Sequence, residues 1–224
     1  MTKFVGIHQC EDILGPAVVI DVLRAFTVAP LALSRGASEV VLVNTLEEAL
    51  LLKSRTAGAL AFKDGPPAEG FDLLNSPGHL LNLDVRGRTI YQKTTAGTRA
   101  AIAAKHCQPL ICSSFVCASA TADFLRDRDE EVTYVISGDE GRAAEDLAAA
   151  RLINALVLDP SADAAPFVEA AARSDAARDL RRGLELGYAG VSDRDLEICF
   201  DVDRLDFCLT AVVGAGGVVL RSTR

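Results

Sequence analysis

The sequence predicts an α/β fold of alternating strands and helices, layered α/β/α. Three observations carry this expectation. Short β-branched runs such as Val18, Val19 and Ile20 recur, with the composition of buried strands. Each run ends in polar residues and passes into a stretch long enough for a helix. The order strand, polar turn, helix, strand, polar turn, helix occupies residues 18–53 and returns over 88–126, with Thr27, Val28 and Ala29 opposite Thr98, Arg99 and Ala100. Any βαβα chain shows that order; a duplication also fits it, giving two similar lobes, about 1–86 and 87–224, that face a shared cleft. One domain over 1–224 is expected.

Taken in order, residues 4–7 read as a first strand and 18–20 as a second. Asp21 stops the second with a charge. A helix over 26–34 follows, closed by Gly36, a usual stop residue. Residues 39–43 are a strand. Asn44 and Thr45 read as a cap for a helix over 46–53, with Glu47 and Glu48 in its first turn, where acids suit the dipole. Residues 59–62 make a brief strand before the loop KDGPPAEGFDLLNSP, where Gly65, Pro66, Pro67, Gly70 and Pro77 exclude regular structure. Long ordered loops are often functional, with a plain surface excursion as the alternative. A short helix over 79–83 closes this half.

The second round has strands over 88–93 and 110–112, each followed by a helix, over 99–105 and 118–126. A strand over 132–136 leads into a long helix over 143–156. Helices over 164–172 and 175–186 follow, then stretches 193–198 and 207–213, a Gly-rich bend over 214–217 and a last short strand.

Bulk properties narrow the partners. Half of the 224 residues are hydrophobic, so a sizeable core is available. The net charge of −8 and the absence of Lys/Arg blocks argue against nucleic acid and against a basic membrane-surface helix. A small anionic substrate remains open, in a locally positive pocket that a metal could help to make. No secretory signal is read, and no apolar run approaches a membrane span. Six cysteines without a CxxC pair argue against zinc and for buried thiols in a reducing cytoplasm. A homo-oligomer remains open.

Polar groups cluster at the predicted strand ends. They are Asp21 with Arg24, then Thr94, Thr95 and Thr98, then Ser113 with Ser114, then Asp139 with Arg142. Glu145 and Asp146 follow one turn into a helix. If the strands are parallel, these ends converge, which is where α/β proteins bind ligands. Hydroxyls and N–H groups over 94–98 could hold a phosphate oxygen, although Ser/Thr capping explains each such element taken singly. Asp21 with Arg24 also suits an ordinary cap and a solvated Arg. Asp21, Glu145 and Asp146 are hard carboxylates of the kind Mg²⁺ takes in ones and twos. Glu145 and Asp146 point to different helix faces, so one faces the site and the other supports it; either also suits a solvated helix charge.

Other phosphatase patterns fail. Cys199 lies one position short of C-x₅-R spacing to Arg204, and Asp201-x-Asp203 lies far from a first strand. There is no G-x-S-x-G, Walker A or G-x-G-x-x-G, and His8, His79 and His106 show no metal spacing.

Five segments in order resemble the 2-phosphosulfolactate phosphatase family: VVIDVLRA (18–25), GFDLLNSP (70–77), TTAGTRA (94–100), SSFVCASA (113–120) and GRAAED (141–146). The C-terminal DLEICFDVDRLDF is similar to the family's last segment. The resemblance implies an α/β fold and Mg²⁺-dependent hydrolysis of a phosphate monoester, 2-phospho-3-sulfolactate or a related phospho-hydroxyacid. It implies metal or acid–base roles for Asp21 and Glu145, an anion-holding role for Arg24, loop contacts from Asp72, Asn75 and Ser76, and phosphate-side hydroxyls on Thr94, Thr95 and Thr98. The chain departs from the family at Lys63-Asp64-Gly65, where G-E-R is usual, at Ala96 for Asn, Leu74 for Gly, Leu147 for Asp and Phe26 for Thr. Those departures also suit a homologue that keeps the fold and binds an anion or a protein partner without turnover.

Overall fold

The computed structural model describes residues 2–128, 130–214 and 216–223. The strands are β1 (Lys3–Gly6), β2 (Ala17–Ile20), β3 (Glu39–Leu42), β4 (Leu60–Lys63), β5 (Thr89–Lys93), β6 (Leu110–Ser113), β7 (Thr133–Ile136), β8 (Cys208–Gly214) and β9 (Gly217–Thr223). They form one nine-stranded sheet in the order β1-β7-β2-β6-β8-β9-β3-β5-β4. The helices are α1 (Ala25–Ser34), α2 (Leu46–Arg55), α3 (Pro77–Leu80), α4 (Gly97–Ala103), α5 (Ala118–Arg126), α6 (Ala144–Leu158), α7 (Ala165–Ala172), α8 (Asp175–Glu185) and α9 (Asp195–Cys199). No helix among the described residues is long and apolar enough to cross a membrane.

The sheet contains two parallel blocks. β1, β7, β2 and β6 form one, and β3, β5 and β4 the other. The β8–β9 hairpin lies between them and pairs antiparallel with both. Three successive antiparallel pairings, β6 to β8 to β9 to β3, make the two blocks run in opposite directions. The carboxyl ends of the two blocks still meet as expected: Asp21, just after β2, accepts from the N–H of Gly97, just after β5, at 2.8 Å. The two repeated units bridge the blocks: β2 passes through α1 to β3, and β5 passes through α4 to β6. Ala215, in the predicted Gly-rich bend, lies outside the described residues.

Side chains alternate across the sheet with the period of two that extended chain dictates. Val19, Val40, Leu42, Phe62, Ile90, Cys112 and Leu220 share one buried cluster with Phe26, Val28, Ala100 and Ala101 of α1 and α4. Val18, Ile20, Ile111, Tyr134 and Ile136 face the opposite way, onto Ala122 and Leu125 of α5 and Leu152, Ile153 and Leu156 of α6. Val41, Ala61, Tyr91 and Val219 pack with Ala49 of α2. The layering is α/β/α, as the sequence predicts.

Local chemistry explains the helix ends. Thr45 accepts from Glu48 N–H (3.1 Å) while the Glu48 carboxylate accepts from Asn44 N–H (2.8 Å), so two helix-end donors are satisfied. Ser76 caps α3 with Pro77 following, and Ser174 caps α8. Pro30 sits inside α1 and has no N–H to give the carbonyl of Phe26, four residues back. Ser114 Oγ donates to that carbonyl instead, at 2.9 Å.

Candidate active site

Asp21 stands one residue beyond β2 and is buried. Its Oδ1 accepts from Ala25 N–H, and its Oδ2 from Gly97 N–H, each at 2.8 Å. One carboxylate thus joins the first turns of α1 and α4, the two helices that bridge the blocks. Gly97 is required for this approach, since a Cβ there would lie 2.4 Å from Asp21 Oδ2.

Asp146, in the first turn of α6, is bound in the same manner. Its Oδ1 accepts from Val22 N–H (2.8 Å) and its Oδ2 from Gly138 N–H (3.0 Å), tying the ends of β2 and β7 together. Ser137 Oγ lies 3.3 Å from both Asp21 Oδ2 and Asp146 Oδ2 and bridges the two acids. Glu145 is buried beside them.

The charges that bear on these three acids are other carboxylates. Burial pushes the Asp21 carboxyl up to about 6, and the neighbouring Asp64 and Glu145 add to the rise against the Ala25 and Gly97 hydrogen bonds. Burial, then the charges of Asp21 and Glu145, hold Asp146 well above the usual carboxylate range. Burial likewise raises Glu145, with Asp139 adding to it. A buried cluster whose charged neighbours among the described residues are further carboxylates suits a cation or a shared proton.

Arg24, three residues after Asp21, is fixed at one nitrogen. Its Nη1 donates to Asp195 Oδ2 (2.5 Å) and to the Gly190 carbonyl (2.6 Å). Asp195 is fully buried, and its Oδ1 also takes Ser76 Oγ (2.6 Å) and Gly78 N–H (2.9 Å), its Oδ2 Ser192 N–H (3.1 Å). Arg24 borders a cleft of about 490 Å³ whose other walls include Gly65, Pro66 and Tyr188. Gly65 adjoins Asp64, which accepts from Thr95 N–H at 2.6 Å.

The other sequence-predicted residues separate into groups. Thr94 and Thr98 cap each other, with Oγ1 atoms 2.9 Å apart and each hydroxyl accepting the other's N–H at 3.0 Å. The N–H groups of Thr94, Thr95, Gly97 and Thr98 are therefore engaged within the protein. Asn75 accepts from Gln92 Nε2 (2.8 Å), and Ser76 belongs to the Asp195 network. Asp72 pairs with Lys53 (2.7 Å) and accepts from Ala61 N–H (2.8 Å), which fastens the long loop to β4 and α2. Ser113 pairs with Thr121 (2.9 Å) and Ser114 serves Phe26, both fully buried. Arg142 is exposed and pairs with Asp139 at 3.2 Å.

Sequence reasoning missed Ser137, Asp195 and the site position of Asp64. Asp195 had a usable signal: it opens the DLEICFDVDRLDF segment, whose family likeness came without a role. Ser137 had only its place at a strand end.

The sequence profile described as 2-phosphosulpholactate phosphatase matches residues 5–212. The chain belongs to that family. It is an enzyme of the phosphatase class. A relative from Carboxydothermus hydrogenoformans, named "Probable 2-phosphosulfolactate phosphatase", is 34% identical over 221 residues, 92% of this chain and 90% of its own. One of the same name from Synechococcus sp. (strain WH7803) is 36% identical over 210 residues, 85% of each chain. One from Thermotoga petrophila is 41% identical over 128 residues, 56% of this chain and 55% of its own.

Mg²⁺ can be tested against the residues of this site. Among the described residues no three His, Cys, Asp or Glu side chains are arranged as a full metal cage. Mg²⁺ asks for less, one or two carboxylates plus waters and substrate oxygens. Asp21 and Glu145, buried hard donors among like charges, fit that requirement.

Proposed function

We propose that this chain is a Mg²⁺-dependent phosphate-monoester hydrolase acting on a phospho-hydroxyacid, the class to which 2-phosphosulfolactate belongs. The observation that carries the reading is the buried acid cluster at the junction of α1 and α4, on which the charges that act are other carboxylates, with Arg24 three residues beyond Asp21 at the wall of a cleft. Asp21 and Glu145 would hold the ion, and Mg²⁺ when bound supplies positive charge against the phosphoryl oxygens. Arg24, immobilised by Asp195, receives an acidic group of the substrate at the cleft wall. Asp146 keeps the loops after β2 and β7 in register, so it positions Asp21 instead of meeting substrate.

The test is phosphate release from 2-phosphosulfolactate and a panel of phospho-hydroxyacids, with and without Mg²⁺. Mg²⁺-dependent release from at least one is expected. Asp21→Asn should lower kcat/KM by about 100-fold or more while the protein stays folded. Absence of Mg²⁺-dependent release from every ester, in folded protein, would refute the reading.

A further inference from the structure

Phosphate-ester hydrolysis leaves an alkoxide that needs a proton, and the acids of the buried cluster are otherwise engaged. Asp21 spends both oxygens on backbone N–H groups, and so does Asp146. Glu145 holds the ion in the reading above. The histidines stand elsewhere: His106 meets the Ile13 carbonyl, His8 lines a hollow with Glu11 and Arg99, and His79 one with Phe71 and Leu83. Asp64 is placed differently. It follows β4, and its Oδ2 accepts from Thr95 N–H at 2.6 Å. Asp21 Oδ2 accepts from Gly97 N–H, two residues along the same turn. Carboxylates from the two blocks of the sheet thus hold one turn, and the charge of Asp64 acts on Asp21. Asp64 is partly exposed where the cluster acids are buried. Its Oδ1 has no hydrogen-bond partner among the described residues. Its neighbour Gly65 lines the cleft that Arg24 borders. The backbone around it is fixed by Lys63, buried, whose ammonium donates to the carbonyls of Asp64 (2.6 Å) and Pro66 (2.5 Å). Among the described residues Asp64 is not arranged with Asp21 and Glu145 as a third metal ligand.

We propose that Asp64 is a catalytic residue of this site, the group that gives a proton to the ester oxygen as it leaves. This rests on the phosphatase reading above and adds a member to its site. An ester whose acidic group lies on Arg24 and whose phosphate lies at Asp21 has its bridging oxygen between the two. Asp64 adjoins the first through Gly65 and the second through the 94–98 turn. Like charge on the arriving phosphate draws a proton from cleft water onto Oδ1. Water then adds its oxygen to phosphorus and loses one proton to solvent. The ester P–O bond breaks, its electron pair stays on the leaving oxygen, and that oxygen takes the Asp64 proton to give the hydroxyacid.

The experiment compares wild type, Asp64→Asn and Asp64→Glu on the phosphate esters of 3-sulfolactate and lactate with Mg²⁺, and reads the Mg²⁺-induced rise in melting temperature of each protein without ester. Asn keeps an acceptor for Thr95 N–H but has no acidic proton; Glu keeps the acid and disturbs the fit. Asp64→Asn should lower kcat by about 100-fold or more with KM within about threefold of the wild type. Asp64→Glu should stay within about tenfold of the wild-type kcat. The Mg²⁺-induced rise should be the same in all three. Turnover by Asp64→Asn equal to or above that of Asp64→Glu marks a latch for the turn and overturns the proton role, leaving the phosphatase reading standing. Loss of the Mg²⁺-induced rise in Asp64→Asn marks a metal ligand and overturns it likewise. No turnover of either ester by the wild type overturns both readings.

Discussion

Asp195 should be among the most costly residues in the chain to remove. Its carboxylate is fully buried and receives Arg24 Nη1, Ser76 Oγ, Gly78 N–H and Ser192 N–H. Asp195→Ala would strand the Arg24 guanidinium, whose side chain is 12% exposed, without its counter-ion. Removing one partner of a buried ion pair costs about 3–5 kcal/mol, because the remaining charge stays desolvated. The three other donors would add to this, partly offset by entering water. At about 2–4 °C per kcal/mol for a chain of this size, the melting temperature should fall by roughly 10 °C. Asp195→Asn keeps an acceptor for Ser76 or Gly78 but turns an N–H₂ toward other donors, so an intermediate loss is expected. Urea titration of Asp195→Ala, Arg24→Ala and the double variant provides the assay. The double variant should lose at least about 1 kcal/mol less than the two single losses combined, the mark of groups in one network. A loss under about 1 kcal/mol for Asp195→Ala, or strict additivity, would refute the reasoning.

Two further outcomes concern the acid cluster. The Asp21 carboxyl binds its proton more tightly in the fold, at about 6 against the usual 3.8, so ionisation opposes folding. This penalty is absent below about pH 4, grows as pH rises through 6, and amounts to about 3 kcal/mol when complete. Metal-free wild type should therefore lose stability relative to Asp21→Asn between pH 4.5 and 7.5, and Mg²⁺ should restore it; parallel urea curves at the two pH values, differing by a constant, would contradict this. Gly97→Ala would drive a Cβ to 2.4 Å from Asp21 Oδ2. It should cost about 1–3 kcal/mol and most of the phosphatase activity, and a variant with native melting temperature and native turnover would dismiss the close approach.

The sequence carried the elements well where local chemistry sets them. Val18 to Ile20 form a buried strand, Asp21 ends it, and Thr45 and Glu48 start α2 as the capping pattern implies. The family, too, was legible from ordered motifs. The sheet's middle was not: the 207–213 stretch and the last strand came at the end of the chain with no place in the sheet, yet they separate β6 from β3 and reverse one block against the other. Pairing of strands distant in sequence leaves no local signature. The same limit explains the site. Asp195 meets Arg24 across 171 residues, and neither flanking segment advertises the other. Ser114 looked like a strand-end hydroxyl for substrate, but Pro30 leaves the Phe26 carbonyl in need of a donor, and Ser114 meets that need.

The four N–H groups that bind the two buried acids come from distinct parts of the chain. Ala25 opens α1 and Gly97 opens α4, while Val22 and Gly138 belong to the loops after β2 and β7. Asp21 therefore joins the two repeated units, and Asp146 joins β2 to β7 within one block. Each carboxylate gains charge-assisted hydrogen bonds that an exposed acid would make with water, but it loses solvation beside like charges. Hydrophobic side chains would avoid that cost, so the cluster is better suited to chemistry at this junction than to stability. Because α1 and α4 meet at Asp21, a cation that relieves the repulsion there would strengthen the docking of one repeat on the other. Its effect should reach the global unfolding transition instead of remaining in a surface loop.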